Sequence, residues 1–314
     1  MEASMKENKM GTMPVNRLLL SMAVPMMISM LVQALYNVVD SIFVAKYSAA
    51  CMTAISLVFP LQTLMIAAGS GLGVGMNAIL SRNLGAKNQD GVNKTAFNGI
   101  AIYLICYVIF LLVGLFVAEP FMRAQASSEE IAEAGTVYLQ IVCCCSIGMF
   151  TQFCFERMLQ ATGKTIYSMF TQMTGAIINV ILDPILIFGL LGAPRMGMAG
   201  AAAATVIGQC VAGLMAIIFN FKFNKEIQLR KIKKFRPDGS AMGRIIYIGA
   251  PSILMQSIGS IMVFGVNTIF SHMNIMDTAL TLTEARDTAI TVFGIYFKLQ
   301  SFVFMPVFGL NNGM

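Results

Sequence analysis

The chain has 314 residues, of which 57% are hydrophobic and 11% are charged, and its formal net charge is +6. A soluble globular domain has roughly 25% charged residues, so the composition excludes a soluble domain and predicts an integral membrane protein. No stretch shows the alternation over about 10 residues that is typical of a transmembrane β-strand. We therefore expect an all-α, polytopic helical bundle.

Charge-poor segments recur along the whole chain. Each is long enough for the roughly 20 residues that a helix needs to cross a hydrocarbon layer. The eight predicted transmembrane helices, called spans 1 to 8, cover residues 17–45, 53–80, 95–118, 134–157, 165–191, 197–221, 244–271 and 287–314. The apolar run of span 1 is too long for a cleaved signal peptide, so we expect it to stay in the protein.

The basic residues indicate the orientation of these spans. When successive loops are assigned to alternate sides, 16 of the 21 Lys and Arg residues fall on the side of the N-terminus, and Arg157 at the end of span 4 is one of them. Four fall on the other side, and Lys298 lies within span 8. Because cytoplasmic loops are rich in Lys and Arg, we expect a cytoplasmic N-terminus. The same asymmetry explains the net positive charge without nucleic acid as a partner.

Residues 222–243 have the composition of a linker. They hold the basic run Lys222–Arg236, followed by Pro237-Asp-Gly-Ser. A run of this kind can bind nucleic acid or anionic lipid, but a cytoplasmic loop that follows the positive-inside rule is the simpler interpretation. The linker divides the chain into residues 1–221, with spans 1 to 6, and residues 244–314, with spans 7 and 8.

The sequence after this linker repeats the beginning of the chain. Matching pairs in spans 1 and 7 are 226 or 227 residues apart, and matching pairs in spans 2 and 8 are 238 residues apart. The pairs include Arg17 with Arg244, Pro25 with Pro251, Asp40 with Asn267, Gln62 with Gln300, and Gly71 with Gly309. Spans 1 and 7 run in the same direction, so these are parallel repeats, a feature of transporters. We expect a twelve-helix protein of two six-helix lobes, of which this chain holds eight helices.

Two carboxylates lie inside apolar spans. At a rise of ~1.5 Å per residue, Asp40 lies about 35 Å along span 1 and Asp183 about 27 Å along span 5, so both fall in the outer half of the bilayer. Tyr36 and Asn37 lie one turn below Asp40. Asn179 lies one turn below Asp183, so each acid has neutral polar partners on its own face. Buried acids are costly in a membrane, and their presence indicates ion coupling or transport.

Other polar side chains in the spans allow more than one interpretation. Thr205 in span 6 lies at a depth compatible with the two acids. Lys298 in span 8 can pair with an acid in further helices, contact anionic groups of a substrate or snorkel to the interface. Gln33 and Gln256 can line a cavity or form interhelical hydrogen bonds. Asp40 can reach the outer interface instead of a cavity.

Four prolines lie inside the spans. They are Pro25, Pro184, Pro251 and Pro306. A proline within a helix lacks the backbone donor and frees a carbonyl group, so each can bend its helix for gating or only kink it for packing.

Two further patterns are not sites. The run Gly69–Gly75 lacks the Gly-Lys-Ser/Thr ending of a phosphate loop and follows no strand, so its small residues favour close helix packing instead. The seven cysteines include no Cys-x-x-Cys pair, and we expect no metal beyond Na⁺ as a transported ion.

Several of these motifs carry a resemblance to a known family. They are Val38-Val-Asp40-Ser after Pro25, Asn179-x-x-x-Asp183-Pro184, Gly200-Ala-Ala-Ala-Ala-Thr205 and Pro306-x-x-Gly309. Over essentially the whole chain, the sequence resembles the multidrug and toxic compound extrusion (MATE) transporters, and within them the bacterial branch with acids in spans 1 and 5. The resemblance implies a monomeric, multi-pass protein of the bacterial plasma membrane that exports bulky, often cationic, organic compounds in exchange for H⁺ or Na⁺. It implies no cofactor and no enzymatic activity.

The resemblance also implies roles for individual residues. The polar cluster that binds the coupling cation in such proteins is matched by Asp40, Asn179, Asp183 and Thr205, with Tyr36. The candidates for the substrate cavity are Gln33, Asn37, Gln256 and Lys298. Two carboxylates with amide and hydroxyl oxygens suit either Na⁺ or shared protons, and the sequence does not choose between the two ions.

The alternative function is a lipid-linked precursor flippase of related architecture. Such a protein is expected to place several Arg residues in its cavity, to bind pyrophosphate, whereas Lys298 is the one basic residue within the predicted spans that stands far from a loop. A membrane-embedded aspartyl protease needs Tyr-Asp and Gly-x-Gly-Asp motifs, which the sequence lacks.

Overall fold

The computed structural model of this chain describes residues 13–228, 237–273 and 281–313. The described residues are mostly helical and include no strand, and the predicted all-α membrane fold is confirmed. Predictions about residues 1–12 and about the basic residues at 229–236 lie outside the described residues.

Ten α-helices follow one another in the described part of the chain. They are α1 (Val15–Tyr47), α2 (Ala49–Gly85), α3 (Gln89–Phe116), α4 (Ala118–Gln125), α5 (Glu129–Cys144), α6 (Ile147–Ala161), α7 (Thr165–Phe188), α8 (Met198–Phe223), α9 (Gly239–His272) and α10 (Leu282–Gly313). Span 4 corresponds to α5 and α6 together, and the other seven spans correspond to α1, α2, α3, α7, α8, α9 and α10 in turn.

Polar residues and glycine explain several of these boundaries. Ser48 separates α1 from α2, and its hydroxyl accepts a hydrogen bond from Ala50 N over 3.2 Å. Asn88 and Ser128 cap α3 and α5 in a similar way, which satisfies backbone donors that the first helical turn leaves free. Gly189 closes α7 with a φ of 75°, a left-handed conformation that glycine adopts without strain.

The prediction of one continuous helix for span 4 is wrong. α5 and α6 meet at Cys145 and Ser146 with a bend of 45°. Ser146 is fully buried, and its hydroxyl donates to the Cys143 carbonyl over 2.7 Å. The Ser146 hydroxyl therefore bonds the Cys143 carbonyl group, which in a continuous helix would accept from the backbone N–H four residues later. Such a side-chain bond to the helix backbone is a recognised cause of helix bends. After the bend, α6 packs against α2, α3, α7 and α8.

The environment of Arg157 also differs from the expectation. α6 continues to Ala161, so it extends past the predicted end of span 4. Arg157 is 4% exposed and the adjacent Glu156 is 2% exposed. The count of Arg157 with the basic residues of the loops is therefore wrong, because the longer, bent helix places both charged side chains in the interior.

Most of the predicted spans have the length and apolarity of transmembrane helices. Among the described residues six single helices qualify, and α5 and α6 make a seventh if the bent pair is taken as one span. These seven match spans 1 to 7. α10 is a helix of 32 residues at the position of span 8, but it is not among the seven, so its crossing of the membrane stays a prediction.

The helices of the two predicted repeats pack in a crossed arrangement. α9 packs along α2, and α10 packs along α1. The repeat equivalents α2 and α10 contact each other through equivalent residues. The Oγ1 atoms of Thr53 and Thr291 are 2.9 Å apart, and the ring centroids of Phe59 and Phe297 are 5.7 Å apart. Self-contact of equivalent residues is the mark of a two-fold relation, so these contacts support the predicted repeat. The lobe boundaries themselves stay a prediction.

Glycines bring α2 and α9 into backbone contact. A Cβ atom added to Gly75 would lie 2.1 Å from Ile245 O, and one added to Gly249 would lie 2.5 Å from Gly71 O. Larger residues would push the helices apart, so the predicted use of the glycine-rich run for close packing is confirmed at Gly71 and Gly75.

The end of the linker is held against α3. Asp238 begins α9, where its carboxylate accepts a hydrogen bond from Ser240 N and its own N–H donates to Asn98 Oδ1, each over 2.8 Å. Lys94 forms an ion pair with the same carboxylate. The hydrogen bond from Lys94 is the main cause that holds the pKa of Asp238 below its usual range.

Candidate functional site

Three helices bring the four residues matched to a cation site together. α7 packs against both α1 and α8. Asn179 and Asp183 are four residues apart, so their side chains lie on the same face of α7. Asp183 is 0% exposed and Asn179 is 2% exposed, and Asp40 of α1 and Thr205 of α8 are also buried. The cluster is therefore a polar centre within the helix bundle.

Small residues allow α8 to lie close to α7. A Cβ atom added to Gly200 would lie 2.6 Å from Leu186 O, and one added to Gly208 would lie 2.7 Å from Gly175 O. The two backbones therefore touch on both sides of Thr205, and this closeness lets its short side chain reach α7.

The amide of Asn179 is satisfied at both ends when its nitrogen faces Asp183. In this orientation Nδ2 donates to Asp183 Oδ2 over 3.2 Å, and Oδ1 accepts from Thr205 N over 3.2 Å. The Thr205 hydroxyl lies 3.3 Å from the same Oδ1 atom. A single amide thus fixes the position of the Asp183 carboxylate relative to α8.

Asp40 has unused capacity to hold a cation or a proton. It is 8% exposed, and its Oδ1 atom has no hydrogen-bond partner among the described residues. Asp40 and Asp183 lie close enough to interact electrostatically. A buried carboxylate oxygen without a donor is costly, and two adjacent carboxylates repel each other. A cation or a proton at this place would relieve both costs. The burial of Asp40 favours its cavity interpretation over the interfacial one.

Two tyrosines complete the surroundings of the acids. Tyr36 of α1 interacts electrostatically with both Asp40 and Asp183. Tyr138 of α5 does so as well and is buried. The sequence analysis missed Tyr138; the only signal was a phenol in an apolar span, which needs a hydrogen-bond partner when buried.

Lys298 reaches the site from the other predicted lobe. Its Nζ atom donates to Ser41 Oγ over 2.6 Å, and it interacts electrostatically with the adjacent Asp40. Of the three interpretations of Lys298, the structure favours pairing with an acid. That acid lies in span 1 of this chain rather than in further helices, and Ser41 is a contact that the sequence analysis missed.

The other predicted cavity residues make different contacts. The Asn37 amide donates to Gln33 O of its own helix over 3.0 Å. Gln256 accepts a hydrogen bond from Ser70 Oγ over 2.7 Å, so its interhelical interpretation is confirmed. Gln33 borders a small cavity that also contains Glu156.

The four selected prolines lie within continuous helices. They are Pro25 in α1, Pro184 in α7, Pro251 in α9 and Pro306 in α10. The side chain of Pro306 lies outside the described residues, and the gating roles of all four stay predictions. The sequence analysis did not name Pro60 of α2, whose carbonyl group accepts a hydrogen bond from the Ser260 hydroxyl of α9.

Comparison with known proteins gives a consistent result. The MatE family model matches residues 25–185, which is 161 of the 314 residues and includes both acids. "Multidrug export protein MepA" of Staphylococcus haemolyticus is 30% identical over 295 residues, which cover 93% of this chain and 61% of that protein.

Two solved structures share the fold. The MATE multidrug transporter DinF-BH, determined in complex with a dye, has a TM-score of 0.83 and 28% identity, and the match covers 96% of this chain and 64% of that chain. An outward-facing MATE family transporter of the MOP superfamily has a TM-score of 0.80 and 26% identity, with 95% of this chain and 62% of that chain covered. This chain thus spans about three fifths of the length of these proteins. The match of the family model over half the sequence, through the helices that carry Asp40 and Asp183, establishes that the chain belongs to the MatE family.

Proposed function

We propose that this chain acts in a multidrug efflux transporter that exports organic, often cationic, compounds in exchange for H⁺ or Na⁺. The observation that carries the proposal is the pair of buried carboxylates, Asp40 and Asp183, together with an Asp40 oxygen that has no hydrogen-bond partner in the described part of the chain. Buried acids of this kind are a feature of ion-coupled transport. The similarity to proteins named as multidrug exporters supports small organic substrates.

The proposed mechanism is mutual exclusion of cation and substrate. When Asp40 and Asp183 are both charged, they attract a cationic substrate. Binding of protons or Na⁺ neutralises the pair and removes this attraction, so the substrate leaves. Since the two cargoes cannot occupy the site together, a gradient of the coupling ion drives the substrate in the opposite direction.

Rocking of the two lobes would carry the site from one membrane face to the other. The crossed contacts of α2 with α9 and of α1 with α10 are the surfaces that such a motion rearranges. The excess of basic residues on one side supports a cytoplasmic N-terminus, and we propose a monomer in the bacterial plasma membrane.

Lys298 has a specific place in this mechanism. It stands beside Asp40 on a helix of the second lobe, so it partly neutralises the acid when neither cargo is bound. A cationic substrate near Asp40 must then displace the ammonium group or tolerate its repulsion. Movement of α10 away from α1 would expose the charge of Asp40 and raise its attraction for a cation.

The test is efflux of ethidium from cells that express the complete reading frame, at matched amounts of protein in the membrane. Asp183→Asn keeps the size of the side chain and removes its charge, and we expect it to abolish efflux. Asp90→Asn, at an exposed acid in the first turn of α3, is the matched control and should retain efflux. Equal efflux by wild type and Asp183→Asn would overturn the assignment of the site, and no efflux by the wild type would favour the flippase.

A further inference from the structure

A third buried carboxylate lies between the candidate site and the N-terminal ends of α1 and α7. Glu156 of α6 is 2% exposed. Its Oε1 atom accepts a hydrogen bond from Gln152 Nε2 over 2.9 Å, and its Oε2 atom accepts one from Gln172 Nε2 over 2.7 Å. Neither the sequence patterns nor the coupling mechanism above uses this residue, although an acid buried in a membrane protein is as costly here as at Asp183.

The hydrogen bonds around Glu156 suit a carboxyl group that gains and loses a proton. The hydroxyl of Thr171 lies 2.7 Å from Glu156 Oε1 and also 2.7 Å from Ser168 O. One hydroxyl proton cannot fully serve two acceptors. When Glu156 is protonated, it can donate to Thr171 Oγ1 while Thr171 donates to Ser168 O, and both contacts are then satisfied. When Glu156 is ionised, Thr171 can turn its proton to the carboxylate.

A small cavity connects Glu156 with α1. It lies between α1, α6 and α7, and its polar lining includes Gln33, Glu156 and Gln172. The cavity has a volume of about 20 Å³, which is room for water but not for an organic substrate. Gln172 Oε1 is a buried acceptor without a hydrogen-bond partner among the described residues, so the cavity offers water a place to donate.

Polar side chains continue from this cavity to the candidate site. Gln33 interacts with the hydroxyl of Tyr36. Tyr36 in turn interacts electrostatically with Asp40 and Asp183. The spacing of Gln33, Tyr36 and Asp40 places them on one face of α1, between the acid pair and the cavity that Glu156 lines.

Polar side chains also continue toward the N-terminal end of α7. Arg157 donates to Gln160 Oε1 over 2.9 Å, and Gln160 Nε2 donates to Ser168 Oγ over 2.9 Å. Beyond them, at the start of α7, Lys164 forms a partly exposed ion pair with Glu226. Polar side chains therefore lie on the N-terminal side of Glu156 as well, between it and the partly exposed ion pair.

We propose that Glu156 is a proton-carrying carboxylate on the path between the Asp40–Asp183 site and the N-terminal face of the protein. This inference rests on the proposed function and specifies H⁺ as the coupling ion. A proton leaves a carboxyl group of the pair, which becomes a carboxylate, and the Glu156 carboxylate takes it up through cavity water and becomes neutral. Glu156 then releases the same proton toward the N-terminal face and regains its charge. Only O–H bonds form and break, and the charge balances at each step.

The charged neighbours of Glu156 are consistent with a proton rather than a metal ion. Arg157 of α6 and Tyr103 of α3 are the ionisable groups that interact with it electrostatically among the described residues. α1 and α7 contribute amide, hydroxyl and thioether groups to the cavity. The fixed positive charge of Arg157 repels Na⁺, whereas a proton that joins the carboxylate leaves no separate cation beside the guanidinium.

The test uses the complete protein in proteoliposomes and the substitution Glu156→Gln. Gln can donate to Thr171 and accept from Gln172, as a protonated Glu does, but it carries no transferable proton. We expect transport of ethidium driven by a pH gradient to fall on the order of 100-fold, the size typical of a lost proton-transfer group. Binding of ethidium and ethidium–ethidium exchange without a gradient should stay at the wild-type level, and Glu156→Asp should restore part of the driven transport.

Two results would overturn the inference. One is unchanged gradient-driven transport in Glu156→Gln. The other is an equal loss of binding, exchange and driven transport, which would show a purely structural role. If Glu156→Gln is not monodisperse, Gln172→Met is the second variant, because it removes the amide that lines the cavity and donates to Glu156. It should give the same selective loss, and driven transport at the wild-type level would overturn the inference. Wild-type transport that a Na⁺ gradient drives but a pH gradient does not would also contradict the inference, whereas absence of transport with either gradient would overturn the proposed function.

Discussion

Thr53 and Thr291 offer a direct test of the crossed lobe contact. Their Oγ1 atoms are 2.9 Å apart, which is within about 1 Å of the S–S bond length of a disulfide. The double substitution Thr53→Cys with Thr291→Cys should therefore form a disulfide on mild oxidation. The bond would close a loop of 238 residues. In the chain-entropy model, this constraint on the unfolded chain stabilises the folded protein by roughly 5 kcal/mol.

The assay uses the complete protein with a protease site placed in the linker. After cleavage, the two fragments should stay joined on a non-reducing gel and separate on reduction. Oxidation should raise the midpoint of thermal unfolding and abolish transport, because the bond holds α2 against α10, and reductant should restore transport. Thr53→Cys with Val292→Cys, at an adjacent exposed position of α10, is the control that should not crosslink. Efficient crosslinking only in the control would refute the contact, and full transport by the crosslinked protein would refute the rocking motion at this contact.

Three further predictions concern single side chains. Thr205→Val removes the hydroxyl that lies 3.3 Å from Asn179 Oδ1 and should lower the apparent affinity for the coupling cation by about three- to tenfold. Thr205→Ser keeps the hydroxyl and is the control. Equal cation-titration curves for the Val and Ser variants would contradict this role. Lys298→Met removes the ammonium group beside Asp40 and should tighten ethidium binding measured by fluorescence polarisation. Lys298→Arg keeps the positive charge and should leave this binding unchanged. An unchanged Kd for the Met variant would refute competition between Lys298 and the cationic substrate for Asp40. Lys94 lowers the pKa of Asp238, so this pair should stabilise the fold at neutral pH and lose its effect as the pH falls through that lowered pKa. Thermal unfolding should show Asp238→Ala to be destabilised at pH 7 but not at strongly acidic pH, and an equal deficit at both would point to lost capping alone.

The sequence predicted the parts of the fold that depend on local composition. Long apolar runs predicted the helices, and the burial of Asp183 followed from its position inside one of them. The four residues of the candidate site came from the family resemblance, and the structure places them together. The constant separation of 238 residues also anticipated which residues of α2 and α10 meet.

The features that the sequence did not predict depend on particular side-chain contacts. The bend between α5 and α6 follows from the hydrogen bond of Ser146 to a backbone carbonyl, which no periodicity reveals. Glu156 and Arg157 stood at the end of a predicted span, where charges usually reach solvent, and only the longer α6 places them inside. The partner of Lys298 was hidden because it lies 257 residues away in sequence.

The most direct test of the account is competition between cation and substrate on the purified complete protein. Binding of ethidium would be followed by fluorescence polarisation across a pH series at fixed Na⁺, and across a Na⁺ series at fixed pH. The account predicts that ethidium binding to the wild type weakens competitively as the pH falls or as Na⁺ rises, and that Asp40→Asn and Asp183→Asn lose this dependence. Ethidium affinity that responds to neither ion in the wild type, or that responds equally in the two variants, would contradict mutual exclusion at the Asp40–Asp183 site.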